Sequence, residues 1–307
     1  MRGTAALRHP GDAVSTSPTT RLGAAGLVVL SSLSAQLGAA YAFHLFAFTS
    51  TSMAAWLRNL VGAAVLGAIV LARRGSFRGL NVRAALGLGF ILGGMNATFY
   101  EGLLRLPLGD GVAIEFTGPI VVAALLARSR RHLLWVALAA AGVLAASRPG
   151  PDHLNFAGVA FMLAAATFWG LYVLLGRRVA TGGRRSDTLA FAMAFSALFL
   201  TVPAFARSAP TLADPRVLGL GVLIGVLSSA IPYSVELLAM ARVPPAIFGV
   251  LLSLQPLSAG LIGLVVLHQR ISLVEAIGFV LVVTASLGVT LSASPATVVA
   301  EAEIVST

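Results

Sequence analysis

The chain contains no cysteine and no lysine, and only 10% of its 307 residues are charged. Without cysteine there are no disulfide bonds, no thiolate metal ligands and no cysteine nucleophile. Soluble domains carry about 25% charged residues, so this chain has too few charges to coat a soluble fold of its length. These absences exclude a soluble enzyme and leave a membrane-embedded protein.

Apolar residues fill the chain instead, since 58% of it is hydrophobic and 32 residues are glycine. Runs of about 20 apolar residues are long enough to cross a bilayer as helices. We therefore predict an all-α membrane protein with ten transmembrane helices. The predicted spans are 24–46, 51–72, 84–104, 107–127, 133–147, 156–176, 187–206, 217–240, 244–267 and 271–292.

The predicted segments outside the spans are a disordered cytoplasmic N-terminus, 1–23, and a cytoplasmic tail, 293–307. An alternative for the first span is a cleaved signal peptide, because Ala40-Tyr41-Ala42 resembles a small-residue cleavage site. Removing that span would leave nine helices and destroy the repeat described below.

All 21 basic residues are arginine, and they give a net charge of +10. They cluster in short connections between apolar runs, so we read them as topology signals and expect no nucleic-acid partner. With the N-terminus inside, 15 arginines lie on the cytoplasmic side, 5 lie on the opposite side, and Arg58 lies within the second span. This bias predicts a multi-pass protein of the cytoplasmic (inner) membrane with both termini in the cytoplasm.

A shift of 137 residues superposes Arg105, Pro107 and Pro119 on Arg242, Pro244 and Pro256. This agreement predicts two homologous five-helix repeats, 24–147 and 156–292. Because five is odd, the second repeat enters the membrane from the opposite side. Inverted repeats around a central cavity are the architecture of alternating-access transporters.

Two prolines predict where the central cavity lies. Proline cannot donate to the carbonyl four residues earlier, so Pro119 frees the carbonyl of Glu115 and Pro256 frees that of Leu252. Such carbonyls are tolerated only against protein or a water-filled cavity. We therefore predict helix breaks at Gly118, Pro119 and Pro256 that line one cavity. The alternative is a packing kink satisfied by a neighbouring helix.

Charged residues within the spans are candidate sites, because a charge in the bilayer core costs about 2.5 to 3.5 kcal/mol. Arg58 and Glu115 both lie roughly 12 Å below the outer boundary, so they could pair, either as a substrate or proton site or as a structural ion pair. Glu236 in the eighth span is a further candidate, unless it only reaches the inner interface. The polar and aromatic candidates for binding a solute are Asn96, Tyr100, Trp169, Tyr172, Tyr233 and Gln255.

Catalytic motifs are absent from the sequence. It has no HExxH zinc motif, no GxSxG nucleophile elbow and no glycine loop followed by lysine. We therefore expect no catalytic residues, no cofactor and no metal. An integral-membrane enzyme is the rival class, and it would need at least two convergent acid, base or metal groups.

Several segments also resemble a known family. They are Gly93-Gly94-Met95-Asn96, Glu115-Phe116-Thr117-Gly118-Pro119, Leu57-Arg58, Pro232-Tyr233-Ser234-Val235-Glu236 and Phe248-Gly249. The chain resembles the EamA branch of the drug/metabolite transporter superfamily, of the threonine and homoserine exporter type. Exporters of this type tend to have Glu-Pro where this chain has Gln255-Pro256, and Gly-Glu where it has His268-Gln269.

The resemblance implies ten helices around a cavity and efflux of small metabolites against a proton gradient. Together with the repeat, it predicts a secondary active antiporter that exports small polar metabolites, chiefly neutral amino acids such as threonine and homoserine, by alternating access. The expected partners are a small-molecule substrate, protons and the lipid bilayer. The alternative within the class is an exporter of drugs or other metabolites.

Overall fold

A computed structural model describes residues 18–73, 79–127, 130–146, 155–181, 184–242, 252 and 254–292, and this part of the chain contains helices and no strand. The α-helices are α1 (Pro18–Leu45), α2 (Thr51–Ala72), α3 (Val82–Leu103), α4 (Leu108–Glu115), α5 (Thr117–Ala127), α6 (Arg130–Ala146), α7 (Phe156–Thr181), α8 (Arg185–Ser208), α9 (Pro215–Gly225), α10 (Ile231–Arg242), α11 (Gln255–Val266) and α12 (Leu273–Ser292). A short 3-10 helix, Ala209–Ala213, and a π-helix, Val226–Ala230, complete the set.

These helices confirm an all-α membrane protein of about ten spans. Within the described residues, six stretches are long and apolar enough to cross a bilayer, namely Gly26–Leu45, Thr51–Ala72, Val82–Leu103, Phe156–Gly176, Arg185–Ala206 and Pro215–Leu238. Shorter apolar helices supply the fifth, ninth and tenth spans, and α4 with α5 forms the fourth. The first helix begins at Pro18, before the predicted boundary at 24. Of the predicted disordered N-terminus, 1–23, residues 18–23 belong to this helix, whereas 1–17 and the predicted tail, 293–307, lie outside the described residues.

Two of the spans are broken helices. The fourth is interrupted at Phe116, between α4 and α5, close to the predicted proline break. The eighth changes to π-helix at Val226–Ala230, just before Pro232. Since a proline removes one backbone donor from the helix, both interruptions fall where a hydrogen bond is missing. In the ninth span α11 begins at Gln255 with Pro256 in its first turn, where proline is tolerated.

Helix packing repeats between the two halves of the chain. The third span, α3, packs on α7 and α8, and the eighth span, α9 to α10, packs on α1 and α2. Three further contacts join equivalent helices to each other: α2 with α8, α4 with α11, and α6 with α12. Exchanging the two halves therefore returns the same packing scheme, as a two-repeat chain requires.

Glycine permits the closest of these helix contacts. A methyl group at Gly89 would overlap the carbonyl oxygen of Ala192, and one at Gly118 would overlap that of Ala166. The backbones of α3 and α8, and of α5 and α7, therefore approach more closely than any other residue would allow. Gly118 acts here through its small size.

One end of the bundle is tied together by polar contacts between its connections. The Ser208 hydroxyl lies 2.7 Å from that of Ser50, which joins the connection after α1 to the one after α8. The Leu108 N–H donates to Oε1 of Gln269 over 3.1 Å, which joins the connections before α4 and after α11. The hydroxyl of Thr51, at the start of α2, donates to the carboxylate of Glu101 near the end of α3, so these four connections lie at one end of the bundle.

The opposite end holds the connections after α2 and α7. Arg184, just before α8, approaches Gly79, just before α3. Gly79 has a φ of 74°, a conformation that residues with a side chain rarely adopt. Among the described connections, those after α1, α2 and α3 thus alternate between the two ends, as a multi-pass topology requires.

Candidate functional site

A cavity of about 60 Å³, lined by both polar and apolar side chains, lies where the broken spans meet. Helices of both halves supply its wall, which places it centrally in the bundle. Its lining residues are Ala35, Gln36, Ala39, Arg58, Met95, Asn96, Phe99, Glu115, Trp169, Ser228, Pro232, Tyr233, Glu236 and Gln255.

Among the described residues of this wall Arg58 is the only basic one, and the π-helix of the eighth span holds it. Its Nε donates to Oγ of Ser229 over 2.9 Å, and its Nη2 donates to the carbonyl of Ser228 over 2.7 Å. Pro232 has no N–H to offer that carbonyl, so the proline leaves it available to the guanidinium. The sequence around Pro232 thus supplies two hydrogen-bond acceptors that fix the position of the Arg58 guanidinium.

The positive charge of Arg58 has no acidic partner in contact with it. No carboxylate oxygen of the described residues lies within the 4.0 Å of an ion pair, although the side chain is only 7% exposed. The aromatic rings of Tyr100 and Tyr233 lie 5.5 and 5.9 Å from its guanidinium carbon. Dipoles and aromatic faces surround this cation, and that environment leaves its charge available to an anion.

Glu115 and Glu236 bring two carboxylates to the same cavity. The predicted pair of Arg58 with Glu115 is not formed, and the two side chains instead face one cavity. The alternative prediction for Glu236 was a position at the inner membrane interface. The structure instead buries Glu236, and its Oε2 accepts a hydrogen bond from Tyr172 over 3.2 Å. Glu115 is the last residue of α4 and makes no hydrogen bond through its side chain to the described residues.

A chain of hydrogen bonds crosses between the two repeats beside the cavity. The Tyr233 hydroxyl donates to Oδ1 of Asn96 over 3.1 Å, and Nδ2 of Asn96 donates to Oδ1 of Asn59 over 3.0 Å. Asn96 and Tyr233 are 137 residues apart, which equals the shift that superposes the two halves. The bond therefore joins equivalent positions of the two repeats.

The other predicted residues lie in the wall or directly behind it. Trp169 lines the cavity and packs edge-on against Phe116 at 5.3 Å, while Gln255 accepts from Nε2 of Gln36 over 3.5 Å. Tyr100 and Tyr172 are fully buried behind the wall. Their side chains contact cavity residues without lining the cavity.

Ser228 and Ser229 are the functional candidates that the sequence reasoning missed. A signal for them existed, because the proline argument used for Pro119 and Pro256 applies equally to Pro232. It predicts a freed carbonyl at Ser228, and the structure places Arg58 there. The bond from Arg58 spans 170 residues of sequence, so its identity as the donor could not be read locally.

The sequence departures at the end of the ninth span have a structural account. His268 adopts a φ of 54°, in the left-handed region that favours glycine. Gln269 uses its amide oxygen to accept from the first N–H of α4, so an uncharged side chain fixes that helix end. Neither residue lines the cavity.

One cation and two carboxylates in a small polar cavity suit the binding of a solute that carries both charges. The described residues contain no group of three histidine, cysteine, aspartate or glutamate side chains that could hold a metal ion.

Comparison with known proteins identifies the family. The pattern of the EamA-like transporter family matches residues 156–291, which nearly coincide with the predicted second repeat. The threonine/homoserine exporter RhtA of Salmonella typhimurium is 32% identical over 268 residues, covering 87% of this chain and 90% of that protein. The chain belongs to the EamA-like transporter family.

Further relatives extend this assignment to nearly the whole chain. The threonine/homoserine exporter RhtA of Escherichia coli K12 is 31% identical over 280 residues, covering 91% of this chain and 95% of that protein. A solved crystal structure with 17% identity shares the fold, with a TM-score of 0.63 over 90% of this chain and 98% of that chain. This EamA member is thus a multi-pass membrane transporter for a small molecule.

Proposed function

We propose that this protein is a secondary active transporter that exports threonine, homoserine and similar small neutral amino acids across the cytoplasmic membrane in exchange for protons. The relatives that cover most of the chain carry the name threonine/homoserine exporter. The single observation in the molecule that carries the proposal is the buried Arg58, which no carboxylate contacts among the described residues.

Arg58 binds the substrate carboxylate. Its Nε donates to Ser229, and its Nη2 donates to the Ser228 carbonyl and, over 3.4 Å, to the Tyr233 hydroxyl, so Nη1 is the nitrogen that the described residues leave for a ligand. Charge-assisted hydrogen bonds from Nη1 to a carboxylate are stronger than neutral hydrogen bonds.

Glu115 carries the coupling proton. It lines the cavity of Arg58, and its carboxylate has no hydrogen-bond donor in the described part of the chain that would hold it in one charge state. A proton taken up by Glu115 from the outside removes a negative charge that attracts the substrate ammonium group, which favours substrate release there. Loss of this proton to the cytoplasm restores the charge and favours binding of the next substrate, so proton and substrate cross in opposite directions.

Alternating access follows from the two repeats. The cavity lies between packed clusters towards the two ends of the bundle, one around Leu45, Met53 and Leu103 and the other around Leu66, Leu88 and Leu189. Rocking of the halves opens one cluster while the other stays packed, and the cavity residues remain between them.

Counterflow in proteoliposomes tests this function. Purified protein is reconstituted with unlabelled threonine inside, and uptake of labelled threonine or homoserine is followed. We expect uptake by the wild type, loss of at least about 90% of it in Arg58→Gln, which corresponds to about 1.4 kcal/mol of binding energy, and normal uptake in Arg105→Gln. Arg105 is the matched control because it pairs with Glu101 at 2.6 Å outside the cavity.

The outcome also separates the alternative functions. An enzyme would convert the labelled substrate without exchanging it, and an exporter of drugs would exchange neither amino acid. If Arg58→Gln exchanged threonine as fast as Arg105→Gln does, the assignment of the carboxylate to Arg58 would be wrong.

A further inference from the structure

The eighth span presents three polar groups to the cavity in sequence. Ser228 and Ser229 hold Arg58, Tyr233 follows one turn later, and Glu236 follows one turn after that. Seven residues separate Ser229 from Glu236, which is about 10 Å along a helix. The guanidinium of Arg58, which comes from α2, and the carboxylate of Glu236 therefore both lie beside the eighth span at the cavity.

Glu236 is the carboxylate whose orientation is fixed. Tyr172 donates to its Oε2, and Tyr172 is itself fully buried, with its ring 5.7 Å from that of Tyr233. Oε1 of Glu236 has no hydrogen-bond partner among the described residues. One oxygen is thus anchored to the protein, and the other is an acceptor in the cavity wall.

The length of the eighth span between Ser229, which holds Arg58, and Glu236 leaves room for a zwitterion. A charge-assisted hydrogen bond at each end of the ligand takes up about 2.8 Å. The remaining gap along the span accommodates the few atoms that separate the carboxylate and the ammonium of an α-amino acid. Asn96 and Gln255 line the same cavity and can meet a side-chain hydroxyl.

We propose that Glu236, positioned by Tyr172, is the subsite for the substrate ammonium group, so that the protein selects α-amino acids over the 2-hydroxy acids that share their side chain. This inference rests on the proposed function. It assigns different tasks to the two carboxylates, with Glu236 binding substrate and Glu115 binding the proton. A 2-hydroxy acid would leave Glu236 buried without its cationic partner, which disfavours binding.

The test compares threonine with 2,3-dihydroxybutyrate, in which a hydroxyl replaces the amino group. Each compound competes with labelled threonine during counterflow. In the wild type we expect threonine to compete about 100-fold more effectively, as is typical where a site must leave a charged group unpaired. In Glu236→Gln this preference falls to within about tenfold.

Two variants separate specificity from folding. Tyr172→Phe removes the hydroxyl alone, so we expect a several-fold higher KM for threonine, an unchanged maximal rate and a reduced preference for threonine. Glu101→Gln changes a glutamate outside the cavity and should keep all wild-type values. If Glu236→Gln does not transport, the thermal stabilisation of the purified variant by each compound measures the same preference.

The experiment distinguishes failure of the ammonium subsite from failure of the proposed transport function. A wild type that exchanges neither threonine nor homoserine overturns the proposed function itself. A wild type that exchanges threonine, with Glu236→Gln and Tyr172→Phe both keeping its full preference over the hydroxy acid, overturns the ammonium subsite alone.

Discussion

Arg58 shows how a buried charge is made tolerable without an ion pair. Transfer of a cation into an apolar interior is costly unless hydrogen bonds and dipoles replace the lost water. Ser228 and Ser229 supply two such acceptors, and the tyrosine faces supply further negative potential. The arrangement stabilises the guanidinium but does not neutralise it, which suits a residue that must bind and release an anion.

Glu115→Gln removes the titrating group and keeps the size of the side chain. If Glu115 carries the proton, the variant should still exchange threonine in counterflow, because the exchange of substrate for substrate needs no proton. It should not export threonine in response to a proton gradient. Its counterflow rate should also lose the pH dependence of the wild type. Threonine flux in proteoliposomes, with and without an imposed pH gradient, measures both properties.

Glu101→Gln is the control for this variant, since Glu101 lies at the end of the bundle beside Arg105. Gradient-driven export by Glu115→Gln at the normal rate and with the normal pH dependence would make Glu115 structural. The coupling proton would then have to bind at Glu236 or elsewhere.

The charged members of the site could be predicted from the sequence, and their neighbours only in part. Arg58 and Glu115 stand out because a charge in an apolar span requires a reason. Their lack of direct pairing could not be predicted, because depth along a helix does not fix its rotation about its axis. Tyr172 was a candidate, but its bond to Glu236 joins residues 64 positions apart.

The prolines in the sequence predicted the positions of the helix breaks better than the geometry of those breaks. Pro119 and Pro256 lie in the first turns of α5 and α11, where their missing N–H does not disrupt the helix. The interruption of the fourth span, at Phe116, precedes Pro119. Pro232 is accommodated differently, by a π-helix that shifts the hydrogen-bond register and presents Ser228 and Ser229 to Arg58.

The contact of α5 with α7 gives a prediction about stability. Gly118→Ala places a methyl group against the backbone carbonyl of Ala166, which cannot rotate away as a side chain could. We expect the free energy of unfolding to fall by about 2 kcal/mol, the usual cost of overpacking. The thermal unfolding midpoint of the purified protein in detergent measures this change.

Gly67→Ala in α2 is the matched control, because nothing lies within 4 Å of the position its methyl group would take. Alanine also favours helix over glycine by about 0.5 to 1 kcal/mol, so this variant should be as stable as the wild type or slightly more stable. Equal unfolding midpoints for the two variants would show that α5 and α7 can separate without cost.

The whole molecule is more symmetric in its packing than in its charges. Equivalent helices pack on each other, and Asn96 bonds to its equivalent Tyr233. Arg58 and Glu115, in contrast, both come from the first repeat, and Phe195 and Leu252 occupy the positions 137 residues later. The repeated packing supports the division into 24–147 and 156–292, and the unequal charges give the two repeats different chemical tasks.

The orientation of the whole bundle yields the last prediction. The structure places the connections after α2 and after α8 at opposite ends, and the arginine bias assigns the first of these to the cytoplasm. Because the chain has no cysteine, single cysteines report position without background. Arg73→Cys and Ala213→Cys are both at exposed positions.

An impermeant maleimide added to intact cells should label Ala213→Cys and leave Arg73→Cys unlabelled until the membrane is opened. Labelling of Arg73→Cys alone in intact cells would invert the topology, and Arg58 and Glu115 would then lie nearer the cytoplasmic face.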